Sequence, residues 1–149
     1  MKTLVFMSDN RPVTGDFITA DYNSLAAVIN YAYCKKHGYD FIYHQTYYKK
    51  MDSPLSLLTC VDLSGNPRHA SWAKLVSAIA LANESYELIV YIDSDCIFKN
   101  QAKSIETYIS ICKEREIVFL TNFMNGHSNG IPLPCAGFFA FKNNDGGND

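Results

Sequence analysis

Long apolar runs are missing from this sequence. The stretch from Met1 to Asp9 holds only Leu4-Val5-Phe6-Met7 before it turns polar, too short for the apolar segment of a secretory signal or for a membrane span. The expectation is a soluble chain, cytoplasmic by default. Basic clusters are missing as well. Lysines and arginines are scattered and the formal net charge is -2, so no electrostatic footprint for nucleic acid is present and any anionic ligand must be caught locally. The five cysteines, Cys34, Cys60, Cys96, Cys112 and Cys135, form no CxxC pair, which removes the usual zinc and redox motifs. They read as reduced core residues. Repeats and low-complexity tracts are lacking too. Asn83-Glu84-Ser85 is formally a glycosylation sequon, a pattern too common to fix a compartment.

What is there suits one globular domain and not two: 149 residues, 48% of them hydrophobic. Residues 1–142 read as that domain and 143–149 as a polar tail without packing potential. Leu4 to Met7 is a compact apolar run ending in polar residues, which predicts a short buried strand. From Ser24 to Lys36 the residues Leu25, Val28, Ile29, Ala32 and Tyr33 recur at helical spacing, with Lys35 and Lys36 near the negative end and Gly38 as terminator. Tyr39 to Tyr43 predicts a second strand, parallel to the first across a helical crossover. The stretch from about Thr46 to Arg68 is left unassigned.

Periodicity returns with Trp72, Leu75, Val76 and Ile79 on one helical face, so Trp72 reads as core. Ser71 is placed to cap that helix, and Lys74 points away from the stripe, free for another task. Leu88 to Ile92 is the clearest buried strand, Ile105 to Cys112 a helix, Ile117 to Leu120 a strand and Ala136 to Phe141 the last strand. The alternation predicts an α/β fold, a mainly parallel sheet flanked by helices.

In such sheets ligands sit beyond the carboxyl ends of the strands, which directs attention to Asp93-Ser94-Asp95 directly after Leu88-Ile92. Residues two apart on an extended chain project to one side, about 7 Å apart by the strand rise, so both carboxylates can converge on one small cation. A hard divalent ion such as Mn²⁺ or Mg²⁺ suits oxygen ligands, and a diphosphate supplies more of them. The competing reading is a plain turn in which the aspartates cap local amides. Against it, the acids sit between Leu88-Ile92 and Cys96-Ile97-Phe98, an apolar wall on either side.

Ser71-Trp72-Ala73-Lys74-Leu75 followed by Tyr91-Ile92-Asp93-Ser94-Asp95-Cys96-Ile97-Phe98 resembles the core of GT-A fold glycosyltransferases, whose DxD motif binds a metal and a sugar nucleotide. The segment from Asn30 to Phe41 is similar to the helix and second strand of the galactosyl and xylosyl transferases of glycosyltransferase family 34. The likeness runs to about Lys142 and implies a GT-A, Rossmann-like fold. It further implies a nucleotide-sugar site of Ser8, Asp9, Lys74, Asp93, Ser94, Asp95 and Gly137, with Asp93 and Asp95 at the metal.

In that resemblance Asp95 binds the metal directly and Asp93 contacts the ribose or the metal shell. Lys74 lies near the diphosphate or the donor sugar, while Ser8 and Asp9 hold the base and ribose. Pro134 to Phe141 resembles the strand where Gly137 lets the donor sugar approach the backbone. Cys135 departs from the asparagine of many relatives, and His127 stands in the preceding loop. Family members run well past this length and supply a third metal ligand, often histidine. The sequence is thus either a fragment or a short relative whose site is open or completed by another subunit.

The implied function is transfer of a sugar from a nucleoside-diphosphate donor, UDP-linked, to a carbohydrate or glycoprotein acceptor, with Mn²⁺ or Mg²⁺ as cofactor. Two alternatives stand beside it. One is a haloacid-dehalogenase-like phosphatase, in which Asp93 would be the nucleophile. The other is a non-catalytic module that only binds sugar nucleotides.

Overall fold

The computed structural model describes residues 1–16, 18–46, 64–66, 68–82, 84–110, 117–122 and 133–143. The elements follow the hydrophobic pattern. β1 (Thr3–Asp9) is buried along its whole length, as befits an apolar strand covered on both faces. It leads into α1 (Tyr22–His37), which ends at Gly38 in the left-handed region at φ 75, with the Gly38 N–H bonded to the Cys34 carbonyl. Glycine meets no Cβ clash in that conformation, and Lys35, Lys36 and His37 complement the negative helix end.

Then come β2 (Asp40–Gln45), a single 3-10 turn at Ala70–Trp72, α2 (Ala73–Leu81), β3 (Leu88–Ile92), α3 (Ile105–Ile109), β4 (Ile117–Asn122) and β5 (Leu133–Lys142). The unassigned excursion lies mostly outside the described residues, as do His127, Cys60, Cys112 and most of the polar tail.

The strands form one sheet in the order β2-β1-β3-β5-β4. β2, β1 and β3 are parallel, but β5 runs antiparallel to β3 and β4 antiparallel to β5. The sheet is therefore mixed, where the alternation of elements predicted a mainly parallel one. Strand direction is fixed by which neighbour a strand pairs with, and local periodicity carries no record of that.

Side chains alternate across the sheet. Val5, Met7, Val90 and Ile92 pack on one face with Ala26, Ala27, Tyr33 and Cys34 of α1. Leu4, Phe6, Ile89 and Tyr91 pack on the other with Leu81 and Ala78 of α2. Full burial of each large apolar side chain is worth about 1.5–3 kcal/mol, so β1 and β3 anchor the molecule.

Both long helices bury a different face from the one their apolar periodicity selects. On α1, Leu25, Val28, Ile29 and Ala32 are exposed and only Tyr33 of the predicted stripe is buried, together with Asn23, Ser24, Ala26, Ala27, Asn30 and Cys34. On and before α2, Trp72, Leu75 and Ile79 are exposed, and Ala73, Lys74, Ser77 and Leu81 are buried. Trp72 is thus a surface residue under the Arg68 guanidinium, not core. Small residues let each helix lie close to the sheet, and the buried polar ones are accepted because most find hydrogen-bond partners. Nor does Ser71 cap α2: the residue preceding the helix is Trp72, without a side-chain cap, and the Ser71 hydroxyl pairs with His69 at 2.9 Å.

Two of the cysteines read as core are exposed, Cys96 and Cys135; Cys34 is buried as expected. Among the described residues no helix is long and apolar enough to cross a membrane.

Candidate functional site

β1 sends its chain by way of α1 to β2 on one side, and the chain returns through α2 to β3 on the other. The helices cover opposite faces, so a crevice opens between the carboxyl ends of β1 and β3. Phe6 stands beside Tyr91 in the ladder, which brings the residues after each strand face to face. The result is a cleft of about 250 Å³. β1 and its loop contribute Ser8, Asp9, Asn10 and Arg11, the α2 side contributes Ser71 and Lys74, and β3 and its turn contribute Tyr91, Asp93, Ser94 and Asp95. The structure brings together six of the seven site residues read from the sequence. The seventh, Gly137, lies behind Asp93.

On the β1 side, Asp9 is 7% exposed and fully engaged. Its Oδ1 accepts from the Arg11 backbone N–H and from Arg11 Nε, each at 3.0 Å. Its Oδ2 accepts from Arg11 Nη2 and from the Ser94 hydroxyl, which ties the two strand ends together. Burial pushes the Asp9 pKa up, but the Arg11 and Ser94 hydrogen bonds outweigh it and hold the carboxyl at about 2. Arg11 is raised in turn, chiefly by its hydrogen bonds to Asp9, and lies 4.4 Å from the Tyr22 ring centroid. Ser8 is buried and lines the cleft near Tyr91, yet its Oγ lacks a well-formed hydrogen bond among the described residues.

On the β3 side, Asp93 to Cys96 form a β-turn closed by Cys96 N–H to Asp93 O at 3.0 Å. The plain-turn reading is right about the backbone. It does not account for the side chains, because neither Asp93 nor Asp95 caps an amide among the described residues. Asp93 Oδ1 instead accepts from Lys74 Nζ at 3.0 Å and from the Tyr91 hydroxyl. Burial raises the Tyr91 pKa and the hydrogen bond to Asp93 raises it further, so the phenol stays protonated and donating.

Lys74 is 8% exposed, and its ammonium also donates to the Ala136 carbonyl at 2.9 Å. It lines the cleft, but its reach is spent on Asp93 and on the β5 backbone. Asp93 N–H donates to Gly137 O at 2.8 Å, and a Cβ on Gly137 would stand 3.2 Å from Asp93 Oδ2. Glycine at this position makes room for the carboxylate.

Asp95 is exposed and makes no ion pair among the described residues; its Oδ1 accepts only the Cys96 thiol, at 3.4 Å. Burial and the Asp95 contact raise the Cys96 pKa to about 11. The apolar wall expected around the acids is open on this side, since Cys96 and Ile97 are exposed too.

Among the described residues no three His, Cys, Asp or Glu side chains are placed to hold a metal by themselves. The donor set nevertheless fits a hard ion that brings its own company. Magnesium-like ions are commonly held by one or two carboxylates plus substrate phosphates and water, and Asp95 with the unengaged Asp93 Oδ2 offers that. Of the described charged groups lining the cleft, Asp9 is balanced by Arg11 and Asp93 by Lys74, and among them Asp95 carries the one uncompensated charge.

Sequence reasoning missed Arg11 and Tyr91. Each lies two residues from a carboxylate it serves, Asp9 and Asp93 respectively; for Tyr91 the same-side rule for extended chain was the signal available, and for Arg11 it was the tendency of an aspartate to accept the N–H two residues on.

No protein-family model matches the sequence, and no curated protein matches it. Among solved structures, the chain is similar to the crystal structure of a glycosyltransferase involved in the glycosylation of the major capsid of PBCV-1, with a TM-score of 0.61 and 16% sequence identity. The match covers 95% of this chain and 60% of that one, so this chain spans about three fifths of its length. The likeness extends to a glycosyltransferase fold and does not single out family 34. This chain has an α/β, GT-A-like fold: an open mixed sheet flanked by helices.

Proposed function

We propose that this chain binds a nucleoside-diphosphate sugar together with a divalent cation and takes part in transferring the sugar to a carbohydrate or glycoprotein acceptor. The observation that carries the reading is the charge arrangement at the strand ends, where one carboxylate, Asp95, is exposed and, among the described residues, without an ion pair beside two compensated ones. The GT-A-like fold supports it by placing that arrangement where this class of fold carries its ligand.

In this reading Asp95 is the direct ligand of Mn²⁺ or Mg²⁺. Asp93, oriented by Lys74 and Tyr91, offers its remaining oxygen to the cation or to the ribose. Ser8 meets the nucleoside with an unsatisfied hydroxyl, and the Arg11 guanidinium, beside Ser94, borders the same part of the cleft. A bound cation would neutralise charge developing on the departing diphosphate. Lys74 acts on Asp93 and the β5 backbone, and touches the donor only with what reach remains.

Calorimetry with UDP and Mn²⁺ tests this. Wild type should bind the pair, and Asp95→Ala should lose about tenfold or more in affinity, the range expected for weakening a metal site, with an unchanged unfolding midpoint. Equal binding by both proteins would remove the metal role. Release of free sugar from a UDP-sugar in the presence of Mn²⁺ separates an enzyme from a module that only binds. Turnover of an aryl phosphate that requires Asp93 would favour the phosphatase alternative, in which the unengaged Asp93 Oδ2 would be the nucleophile.

A further inference from the structure

Among the described residues Asp95 meets only the thiol of its neighbour Cys96, so the backbone on either side of it must fix its place. Upstream, Asp93 N–H is bonded to Gly137 O at 2.8 Å, the last tie of the sheet. Downstream, the backbone is gripped by one side chain from α1. Asn30 is 0% exposed; its Nδ2 donates to the Cys96 carbonyl at 2.9 Å, and its Oδ1 accepts the Phe98 N–H at 3.1 Å. A carbonyl and an N–H two residues apart thus meet the complementary ends of one amide, which fixes the orientation of that amide as well as of the loop.

We propose that Asn30 is a positioning residue that sets where the Asp95 carboxylate stands, and thereby the cation affinity of the cleft. The functional half of this statement rests on the reading given under Proposed function. Ser94, just before Asp95, is tied to Asp9, and two features make Asn30 the controlling group on the other side of the turn. Cys96 and Asp95 are themselves exposed. Removing the Asn30 amide also leaves two part-buried backbone groups without their partner at once, which the loop can relieve by moving toward water. The other buried polar groups of α1 act on neighbouring loops in the same manner. Asn23 donates to Pro12 O at 3.3 Å, Ser24 accepts Thr14 N–H at 3.0 Å, and Tyr33 donates to Lys103 O at 2.7 Å. Among them Asn30 alone reaches the turn that carries Asp95.

The test compares Asn30→Ala with Cys34→Ala, a fully buried position one turn further along α1 whose side chain makes no hydrogen bond to the turn. Mn²⁺ uptake in the presence of UDP is followed by electron paramagnetic resonance, and amide exchange is followed over residues 96–98. Asn30→Ala should weaken uptake by about tenfold or more, the usual effect of losing a group that orients a metal ligand, and should speed exchange at 96–98. Cys34→Ala should change neither, although it too lowers the unfolding midpoint. Wild-type affinity in Asn30→Ala, or equal weakening in both variants, overturns the proposal. Should wild type itself take up no Mn²⁺ with UDP, the functional reading fails, and exchange at 96–98 still decides the positioning role: unchanged rates in Asn30→Ala would refute it.

Discussion

Lys74 Nζ stands 3.0 Å from Asp93 Oδ1, joining a buried face of α2 to the turn that ends β3. The same ammonium reaches Ala136 O on β5, so one cation balances a carboxylate and fastens two strands that run in opposite directions.

Replacing Lys74 with methionine keeps the apolar stem and removes both bonds. Asp93 then keeps only the Tyr91 hydroxyl, and the Ala136 carbonyl loses its donor. A loss of about 2 kcal/mol in unfolding free energy is expected, in the range for hydrogen bonds to charged groups. Urea denaturation measures it. A midpoint equal to wild type would mean that the ammonium is dispensable for holding the turn.

Gly137→Ala places a methyl group 3.2 Å from Asp93 Oδ2. The carboxylate must give way by a few tenths of an ångström, at an overpacking cost of about 1 kcal/mol. The expected signature is a small loss of stability with a clear fall in Mn²⁺-UDP affinity, because the oxygen pushed is the one left unengaged by Lys74 and Tyr91. Affinity equal to wild type would show that this oxygen has no part in ligand binding.

The Asp9 cluster makes stability depend on acid. The folded pKa of about 2 lies below the ordinary carboxylate value, so the stabilisation is fully present above about pH 4. It is lost as pH falls through the folded value, and its full size is at most about 2 kcal/mol. Glu106, also lowered, contributes in the same direction; burial opposes the shift, and the hydrogen bond from Tyr39 does most to lower it. Unfolding free energy measured between pH 2 and pH 6 should fall less steeply for Asp9→Asn than for wild type. Parallel curves would contradict the pairing of Asp9 with Arg11.

Much of the fold was legible because burial writes itself into local sequence. Leu88-Ile92 is apolar at every position, since a strand covered on both faces needs it to be, and its five residues form β3 as expected. Asp93-Ser94-Asp95 was legible as a site for the same reason, as an acidic break after that run. The helix faces were not. On α1, Leu25, Val28 and Ile29 give a convincing stripe, but the helix turns Asn23, Ser24 and Asn30 inward. A buried asparagine is tolerable only if its partners exist, and those of Asn30 lie 23, 66 and 68 residues away. Lys74 was recognised as standing off the apolar stripe of α2, and the structure shows that its side of the helix is the buried one.

By itself, then, the sequence determined the alternation of strands and helices, the burial of β1 and β3, and the acidic turn after β3, all of which follow from short-range patterns of apolar and polar residues. Only the tertiary structure decided that β5 and β4 run antiparallel, that Lys74 is committed to Asp93, and that Asn30 grips the turn behind Asp95. Those outcomes depend on complementary donors and acceptors meeting across distant parts of the chain, and no window of neighbouring residues contains both partners.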